Sequence, residues 1–294
     1  MKKLTILMLA ILAIFGCSDD EYRKDIDARH AERIDALRSD TGWLTLVGLH
    51  PLRDGVQEIG AGATMDVPMT EGAPPHLGTL AVEENTVVFA AAPGVVVSLL
   101  EDDDVVISHM ILDTDHDGPP TILTQGSLVF HVIDRDGALY LRVKDRESSV
   151  LKSFTGIDRF PVHPRWRVTA HLEPGGTGVV MVPNVIGGES PSPSPGDLVF
   201  EIEGRQLRLT PMGEPAEGLF LVFGDATNGH ATYGGGRFLS TDPVADDGTV
   251  MLDFNLAVNP PCVFTPYATC PLPPEGNVMA FAMEAGEKMW GGHH

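Results

Sequence analysis

The chain has few cysteines, few basic residues and few aromatic residues, and each shortage excludes a class of protein. It has 3 cysteines in 294 residues, and a chain of that length can bury a sufficient core without a disulfide scaffold. Its 20 basic residues oppose 41 acidic ones, for a formal charge of -21. A field of that sign repels phosphate backbones, so nucleic acid is excluded as a partner. Aromatic residues at 6%, with 32 Gly and 23 Pro, exclude a helical bundle and favour short strands and turns.

Long hydrophobic runs are also scarce, and the one at the amino terminus has the pattern of a signal peptide. Lys2 and Lys3 precede an apolar run from Leu4 to Phe15, which Gly16 and Cys17 close. A transmembrane helix needs about 20 apolar residues, so this run predicts a signal peptide over residues 1–16 instead of a permanent span.

The end of this segment resembles the lipobox of bacterial lipoproteins. Gly16 stands before Cys17, and Ile14 stands three residues before it. The resemblance implies that Cys17 is lipidated, with palmitate among its acyl groups, and that the lipid is the protein's only contact with a membrane. Ser18 in place of Asp implies the outer membrane or the cell surface within the cell envelope. Ordinary signal cleavage beside an incidental cysteine is the alternative.

The segment from Asp19 to Asp40 predicts one amphipathic helix within a lipidated tether over residues 17–42. Asp25 and Arg29 form an i,i+4 pair on its charged side. We expect a solvated face that holds the protein body away from the bilayer. The apolar residues at near-helical spacing are Tyr22, Ile26, Ile34 and Leu37.

The rest of the chain predicts a mainly β protein in two parts, a small β-sandwich over residues 43–139 and a second β-rich domain over residues 140–294. Glu203, Gly204 and Arg205 predict a hairpin turn, and Gly187 to Gly196 (GGESPSPSPG) predicts a loop. The predicted strands are Thr86 to Phe89, Val95 to Leu100, Val105 to Ile107, Leu128 to Ile133, Val179 to Val182, Leu198 to Ile202, Leu207 to Leu209, Leu219 to Phe223 and Met251 to Phe254.

Several motifs resemble the uncharacterised prokaryotic domain-of-unknown-function 1684 family. The longest is NPPCVFTPYATCPLPPEGN at Asn259 to Asn277, and EAGEK follows at Glu284 to Lys288. Further matches are WLTLVGL at Trp43 to Leu49, FTGIDRFP at Phe154 to Pro161 and FGDATNGHATYGGGRFL at Phe223 to Leu239. The resemblance covers nearly all of the mature chain and implies no established activity.

The first domain also resembles the forkhead-associated β-sandwich through Gly55, Ile59 and Gly60. Proteins of that family bind phosphothreonine through an Arg after the glycine and a Ser-x-x-His element. Here Ala61 follows Gly60, and HLGTL at His76 to Leu80 replaces the serine motif. The resemblance therefore implies the fold without phosphopeptide recognition.

The two remaining cysteines, Cys262 and Cys270, predict a disulfide if the protein leaves the cytoplasm. They are eight positions apart, so the bond would fix a proline-rich loop. A metal-thiolate pair and free thiols are the alternatives. A zinc site lacks the C-x₂₋₄-C spacing and a nearby His pair.

Asp113, Asp115 and Asp117 place carboxylates at alternate positions before Gly118, as the first half of a calcium loop does. However, Thr124 occupies the position of the bidentate Glu, and prolines interrupt the loop. A solvated acidic hairpin is therefore the alternative to a calcium site. No other cofactor is expected.

Polar residues cluster in turn-rich sequence of the carboxy-terminal domain, where binding chemistry usually lies. Asp225 and Asp253 could form an acid and base pair, with Arg237 lowering one pKa. In the alternative, Asp and Asn residues cap turns, and Arg237 satisfies a buried carboxylate or carbonyls. The candidate ligand-binding residues are Asp225, Thr227, Tyr233, Arg237, Asp253, Asn255, Asn259 and Asn277.

Three functions follow from these residues, and the sequence does not decide whether the protein is an enzyme. The first is binding of a small polar or carbohydrate-like ligand by the carboxy-terminal domain. The second is a cell-surface hydrolase that uses Asp225 and Asp253. The third is a scaffold for other envelope proteins.

Overall fold

The computed structural model describes residues 2–62, 64–116, 118–135 and 137–291, and for residues 2–18 it describes the backbone alone. Asp117, one of the three predicted calcium ligands, lies outside the described residues. The side chain of Cys17, the predicted lipidation site, also lies outside them.

The chain is mainly β and begins with a helix, as the sequence predicts. The helices are α1 (Lys2–Arg38) and α2 (Ser149–Ser153), with 3-10 turns at Trp43–Thr45, Pro164–Trp166, Phe254–Leu256 and Pro261–Val263. The strands are β1 (Leu46–Pro51), β2 (Gly55–Gly60), β3 (Val67–Pro68), β4 (Gly78–Glu83), β5 (Thr86–Ala91), β6 (Ser98–Leu99), β7 (His109–Leu112), β8 (Leu123–Gln125), β9 (Leu128–Arg135), β10 (Ala138–Asp145), β11 (Arg167–Pro174), β12 (Val179–Pro183), β13 (Glu189–Pro193), β14 (Gly196–Ile202), β15 (Arg205–Leu209), β16 (Phe220–Phe223), β17 (Arg237–Ser240) and β18 (Thr249–Asp253).

The chain divides into two compact units. The sandwich unit consists of Ala36–Thr155 and Phe264–Ala268. The C-terminal unit consists of Met1–Asp35, Gly156–Val263 and Thr269–His294. The domain boundary predicted between residues 139 and 140 falls inside β10.

The sandwich unit contains two five-stranded sheets, with strand orders β1-β10-β9-β8-β6 and β3-β2-β4-β5-β7. Both sheets turn apolar side chains into one core, because alternate residues of each strand face the same side. Phe89 of one sheet contacts Phe130 of the other edge to face, with ring centroids 6.0 Å apart. A sandwich is therefore present, and its likeness to the forkhead-associated fold stays a prediction.

The C-terminal unit contains a four-stranded sheet with order β15-β14-β11-β18 and two ribbons, β12-β13 and β16-β17. Its core joins the sheet to the β16-β17 ribbon, for example through Phe223 and Phe254, whose ring centroids are 5.5 Å apart. The predicted turn between β14 and β15 is confirmed. Glu203 and Gly204 both have positive φ, as a tight hairpin turn with the right-handed twist of its strands requires.

The loop predicted from Gly187 to Gly196 is wrong in its central part, because residues 189–193 form β13. Among the described strands, this one pairs with β12 alone, and its other edge accepts one backbone hydrogen bond, from the N–H of Gly213 to the carbonyl of Pro193. Pro191 and Pro193 are two residues apart and point their nitrogens to the same side of the strand. When that side is the edge away from β12, the two prolines do not remove any hydrogen bond between β12 and β13.

Two strands predicted in the sandwich unit are wrong in extent. Only Ser98 and Leu99 of the segment Val95 to Leu100 form a strand, because only they pair with β8. Val105 to Ile107 forms no named strand, and Val106 makes one isolated bridge to Ser98. Val106 is 60% exposed, so its apolar character does not reflect a buried strand position.

Helix α1 is packed on its apolar side and exposed on its charged side, and its role as a lipidated tether stays a prediction. Ile26 is 1% exposed, and the hydroxyl of Tyr22 donates to the carboxylate of Asp253 at 2.7 Å. The Asp25–Arg29 pair forms on the exposed side, with a nitrogen–oxygen distance of 3.0 Å. Within the described part of the chain, no helix combines the length and the apolar character needed to cross a membrane.

The predicted cysteine pair is confirmed, because the sulfur atoms of Cys262 and Cys270 lie at disulfide distance. Their Cα atoms are 6.2 Å apart, within the range that a disulfide spans. The pair closes the segment 263–269, which lies within the longest motif.

Candidate functional site

Asp225 and Arg237 form an ion pair in the core of the C-terminal unit. Arg237 Nη2 donates to Asp225 Oδ2 at 2.8 Å and to the carbonyl of Met283 at 2.8 Å, and its Nη1 donates to the carbonyl of Ala285. Both charged side chains are 0% exposed. A buried charge persists only with a partner and satisfied hydrogen bonds, so this pair fixes the segment around Met283 and has no access to a solvent-borne ligand.

The other oxygen of Asp225 fixes the turn that follows β16. Oδ1 accepts hydrogen bonds from the backbone N–H of Thr227 at 2.8 Å and from its hydroxyl at 2.6 Å. The hydroxyl of Thr227 also lies 2.7 Å from that of Thr232, and Asn228 donates to the carbonyl of Tyr233 at 2.6 Å. Thr227 therefore has a structural role, and the backbone of Tyr233 belongs to the same turn.

Asp253 and Asn255 form a second polar cluster, which anchors helix α1. Asp253 accepts from the hydroxyl of Tyr22 at 2.7 Å and from the backbone N–H of Asn255 at 3.1 Å. The side chain of Asn255 donates to Tyr22 Oη at 2.9 Å and to the carbonyl of His163 at 3.1 Å. Burial and the Asp253 carboxylate raise the pKa of Tyr22, so the phenol stays protonated and donates.

Asn277 and Asn259 each connect two backbone segments. Asn277 is fully buried and donates to the carbonyls of Thr210 at 2.9 Å and Val222 at 3.0 Å. Asn259 donates through its side chain to the carbonyl of Lys288 at 2.7 Å. Both asparagines serve the packing of the loops that follow β18.

The predicted acid and base pair is not brought together by any shared contact. Among the described residues, Asp225 and Asp253 have no hydrogen-bond partner in common. Each carboxylate has two or more donors of its own, and neither residue lines the cavity described below. The geometry thus gives the hydrolase hypothesis no support from these two residues.

The acidic segment of the predicted calcium loop has internal partners. Asp115 accepts from both terminal nitrogens of Arg135, at 2.9 and 2.8 Å, and from the backbone N–H of Asp134 at 3.0 Å. The backbone N–H of Asp113 donates to the hydroxyl of Thr121 at 3.0 Å. Among the described residues, no group of three His, Cys, Asp or Glu side chains could hold a metal ion. Calcium binding stays a prediction.

A cavity of about 390 Å³ lies in the C-terminal unit between helix α1, the β16-β17 ribbon and the segment that follows β18. This volume falls within the range of small-molecule sites. Its wall is predominantly apolar, with charged side chains on the helix side. The lining residues are Ile26, Arg29, His30, Glu32, Arg33, Arg159, Phe220, Phe238, Ser240, Asn255, Leu256, Ala257, Val258 and Glu287.

The alternation of side chains along the β16-β17 ribbon determines which aromatic residues line the cavity. In the β16-β17 ribbon, Val222 pairs with Phe238 and Phe223 pairs with Arg237. Neighbouring residues face opposite sides, so Phe238 turns toward the cavity side and Arg237 toward the core. Phe220 and Phe238 contact each other edge to face, with ring centroids 5.0 Å apart.

A glycine places Glu287 in the wall. Gly286 has φ of +74°, and a Cβ atom there would collide with the carbonyl of Ala257. Because the chain passes so closely, the N–H of Glu287 donates to that carbonyl at 2.8 Å. On its other side Glu287 forms a β-bridge with Arg159, which brings both charged residues to the cavity.

Three buried polar atoms of the lining residues have no hydrogen-bond partner among the described residues: Arg33 Nε, Arg159 Nη1 and Glu287 Oε1. Arg33 Nε and Glu287 Oε1 are 3.7 Å apart, an ion-pair distance but too long for a hydrogen bond. Arg159 pairs with Asp27 through its other terminal nitrogen. Buried polar groups are normally satisfied, so these three atoms are candidates for contact with a bound polar group or a water molecule.

Burial shifts the ionisation of the charged wall. It raises the pKa of Glu287, while the positive charge of Arg33 and the N–H of Asn259 oppose the rise. Burial lowers the pKa of Arg33, and Glu287 opposes that change. Burial and the nearby Arg159 charge lower the pKa of His30, so this imidazole is neutral near pH 7.

Sequence reasoning found Asn255 in this wall and missed Glu287, Arg33, Arg159 and His30. The available signal was the EAGEK motif at Glu284 to Lys288, where a glycine stands directly before a carboxylate in an otherwise apolar stretch. The helix residues gave no such signal, because Arg33 lies among other charged residues of an exposed-looking helix.

A family model matches the segment that supplies most of this wall. Residues 152–288 match the model of the family described as "Protein of unknown function (DUF1684)". The match falls within the longer stretch over which the sequence motifs resemble this family. It includes Arg159, Phe238 and Glu287, whereas Arg33 and His30 lie outside it.

The solution NMR structure of an uncharacterized protein from Haloarcula marismortui is similar to part of this chain. The two share 29% sequence identity, and the TM-score is 0.41. The similarity covers 48% of this chain and 80% of that chain. No match was found among the curated proteins.

We predict that Asp225→Asn destabilises the C-terminal unit by about 3–5 kcal/mol, because it leaves the Arg237 charge buried without its partner. Urea unfolding followed by circular dichroism measures the change. Asp246→Asn, at an exposed position, should stay within about 0.5 kcal/mol of the wild type. Equal midpoints for the two variants would contradict a structural role for the pair.

We predict that the pH dependence of stability contains a contribution from Glu287. Its pKa in the folded state lies above the ordinary value of 4.5, so the folded protein retains a proton that the unfolded chain releases. Stability should therefore fall as pH rises from 4.5 through the folded pKa, by about 1.4 kcal/mol for each pKa unit of difference. Urea unfolding of wild type and Glu287→Gln across this interval measures the fall, which the variant should lack. Glu275→Gln, at an exposed position, should keep the wild-type profile.

Proposed function

We propose that the protein binds a small amphipathic molecule in the cavity of its C-terminal unit. The observation that supports this most directly is the set of unpartnered polar atoms on Arg33, Arg159 and Glu287 beside an otherwise apolar wall. A ligand that satisfies these atoms gains hydrogen bonds for which the protein has already lost the water. Its apolar body would cover the aromatic and aliphatic side chains.

The apolar half of the wall suits a chain or ring of modest size. Ile26 from α1 and Phe220 and Phe238 from the ribbon supply it, with Leu256 and Val258. Burial of an apolar ligand contributes about 25 cal/mol per Å², so a small hydrocarbon body provides affinity while the charged atoms provide orientation. A carbohydrate, polar all round, fits this wall less well than an amphipathic molecule.

The binding function can be tested with 4-phenylbutanamide, 4-phenylbutanoate and 4-phenylbutan-1-ol as probes, which share one apolar body. We expect saturable binding of at least one probe by isothermal titration calorimetry, and a loss of about tenfold in affinity in Arg33→Gln, because a charge-assisted hydrogen bond is lost. The matched control is Arg23→Gln on the same helix, outside the cavity. No binding of any probe at millimolar concentration, or equal affinities for the two variants, would contradict the proposal.

We further propose that the mature protein is held in the bacterial cell envelope by a lipid on Cys17. The support is the signal-like segment at residues 1–16, with its basic start, its apolar run and Gly16 before the cysteine. A periplasmic or surface location is oxidising, which suits the Cys262 and Cys270 pair. In that location the ligand would be a molecule of the envelope or the medium.

Mass spectrometry of the protein purified from bacterial membranes tests the anchor. We expect a chain that begins at Cys17 and bears acyl groups, and a Cys17→Ser variant that is recovered without them. Intact residues 1–16 on a protein found in the cytosol would refute the anchor and leave the binding proposal standing.

A further inference from the structure

The two oxygens of the Glu287 carboxylate have different roles. Oε2 accepts the backbone N–H of Asn259 at 2.7 Å. Oε1 is the atom without a hydrogen-bond partner among the described residues, although the side chain is only 2% exposed. The N–H of Asn259 thus fixes which oxygen remains for a ligand.

Arg33 Nε, which also has no hydrogen-bond partner among the described residues, lies 3.7 Å from this oxygen and forms an ion pair with the carboxylate. The cavity wall therefore presents one hydrogen-bond donor beside one acceptor. A complementary ligand group has an acceptor and a donor on adjacent atoms of one edge. The carbonyl oxygen and the neighbouring N–H of a primary amide or a lactam have this arrangement.

We infer that the cavity recognises the edge of a primary amide or a lactam, with the ligand carbonyl on Arg33 Nε and the ligand N–H on Glu287 Oε1. The inference rests on the proposed binding function and specifies the chemical class of its ligand. A carboxylate presents two acceptors, one of which would meet Oε1. In the trans form of an N-methyl amide, the N–H points away from the carbonyl oxygen. Such an amide therefore cannot present an acceptor and a donor on the same edge.

Burial raises the pKa of Glu287, and the neighbouring positive charges oppose that rise and favour the ionised form. Arg33 faces it from helix α1, and Arg237 acts on it from the core side. The backbone N–H of Asn259, which binds Oε2, also favours the ionised form. In the ionised form Oε1 is an acceptor, so binding is to be measured on the alkaline side of neutrality.

The Glu287→Gln variant should invert this preference. The N–H of Asn259 requires an acceptor opposite it, so the glutamine carbonyl oxygen takes the place of Oε2 and its amino group takes the place of Oε1. The cavity then presents two donors, from Arg33 and from the glutamine. Two donors suit the two acceptor oxygens of a carboxylate.

The test compares 4-phenylbutanamide, N-methyl-4-phenylbutanamide and 4-phenylbutanoate by isothermal titration calorimetry on the full chain. For the wild type we expect the primary amide to bind at least about tenfold more tightly than the other two. For Glu287→Gln we expect the butanoate to bind more tightly than the primary amide. Arg23→Gln should keep the wild-type order.

The possible failures are distinguishable. If none of the three probes binds, the binding function itself fails and the inference with it. If the probes bind but the order is the same in wild type and Glu287→Gln, the binding function stands and the amide inference is wrong. Should Glu287→Gln not fold by circular dichroism, the comparison of the primary and N-methyl amides on the wild type decides, and equal affinities overturn the inference.

Discussion

The buried guanidinium of Arg237 is the constraint on which the C-terminal unit depends. It satisfies one carboxylate, on Asp225, and the carbonyls of Met283 and Ala285, and so fixes a segment with little regular secondary structure of its own. An isolated charge in this place would be strongly unfavourable, so the loop has to return to the same position whenever the unit folds. The residues directly after Ala285 then reach the cavity wall in a defined register.

That register explains why one carboxylate stands apart from the others in the unit. Asp225 and Asp253 are surrounded by donors, whereas Glu287 has a hydrogen-bond donor for one oxygen and only the 3.7 Å ion pair with Arg33 for the other. The chain brings it there by passing Gly286 against Ala257, an approach that only a residue without a side chain permits. The carboxylates of this unit thus differ in how completely the protein itself satisfies their hydrogen bonds.

The sequence was informative where local chemistry decides the outcome. Short apolar runs predicted fewer than half of the strands, among them β5, β9 and β14, and Glu203 with Gly204 predicted the hairpin turn, because both signals act over a few residues. The residues of the candidate site were harder to predict from the sequence. Asp225 and Arg237 looked like ligand-binding residues because they are polar in a turn-rich segment. However, Asp225 contacts Arg237 and the N–H of Met283, which are 12 and 58 positions away along the chain. Arg33 and Glu287 meet across more than 250 positions, and no local pattern encodes such a pairing. The β13 strand was missed for the opposite reason, since its prolines mask an edge position that tolerates them.

Helix α1 supplies one wall of the cavity, although it lies outside the segment that matches the DUF1684 model. Ile26, His30 and Arg33 come from it, and its contact through Tyr22 is made to a carboxylate at the end of β18. A recombinant chain that starts after residue 38, as is common when a leader is trimmed for expression, would lack this wall. Phe220 and Phe238 would then face solvent, and such an uncovered aromatic surface promotes self-association in solution.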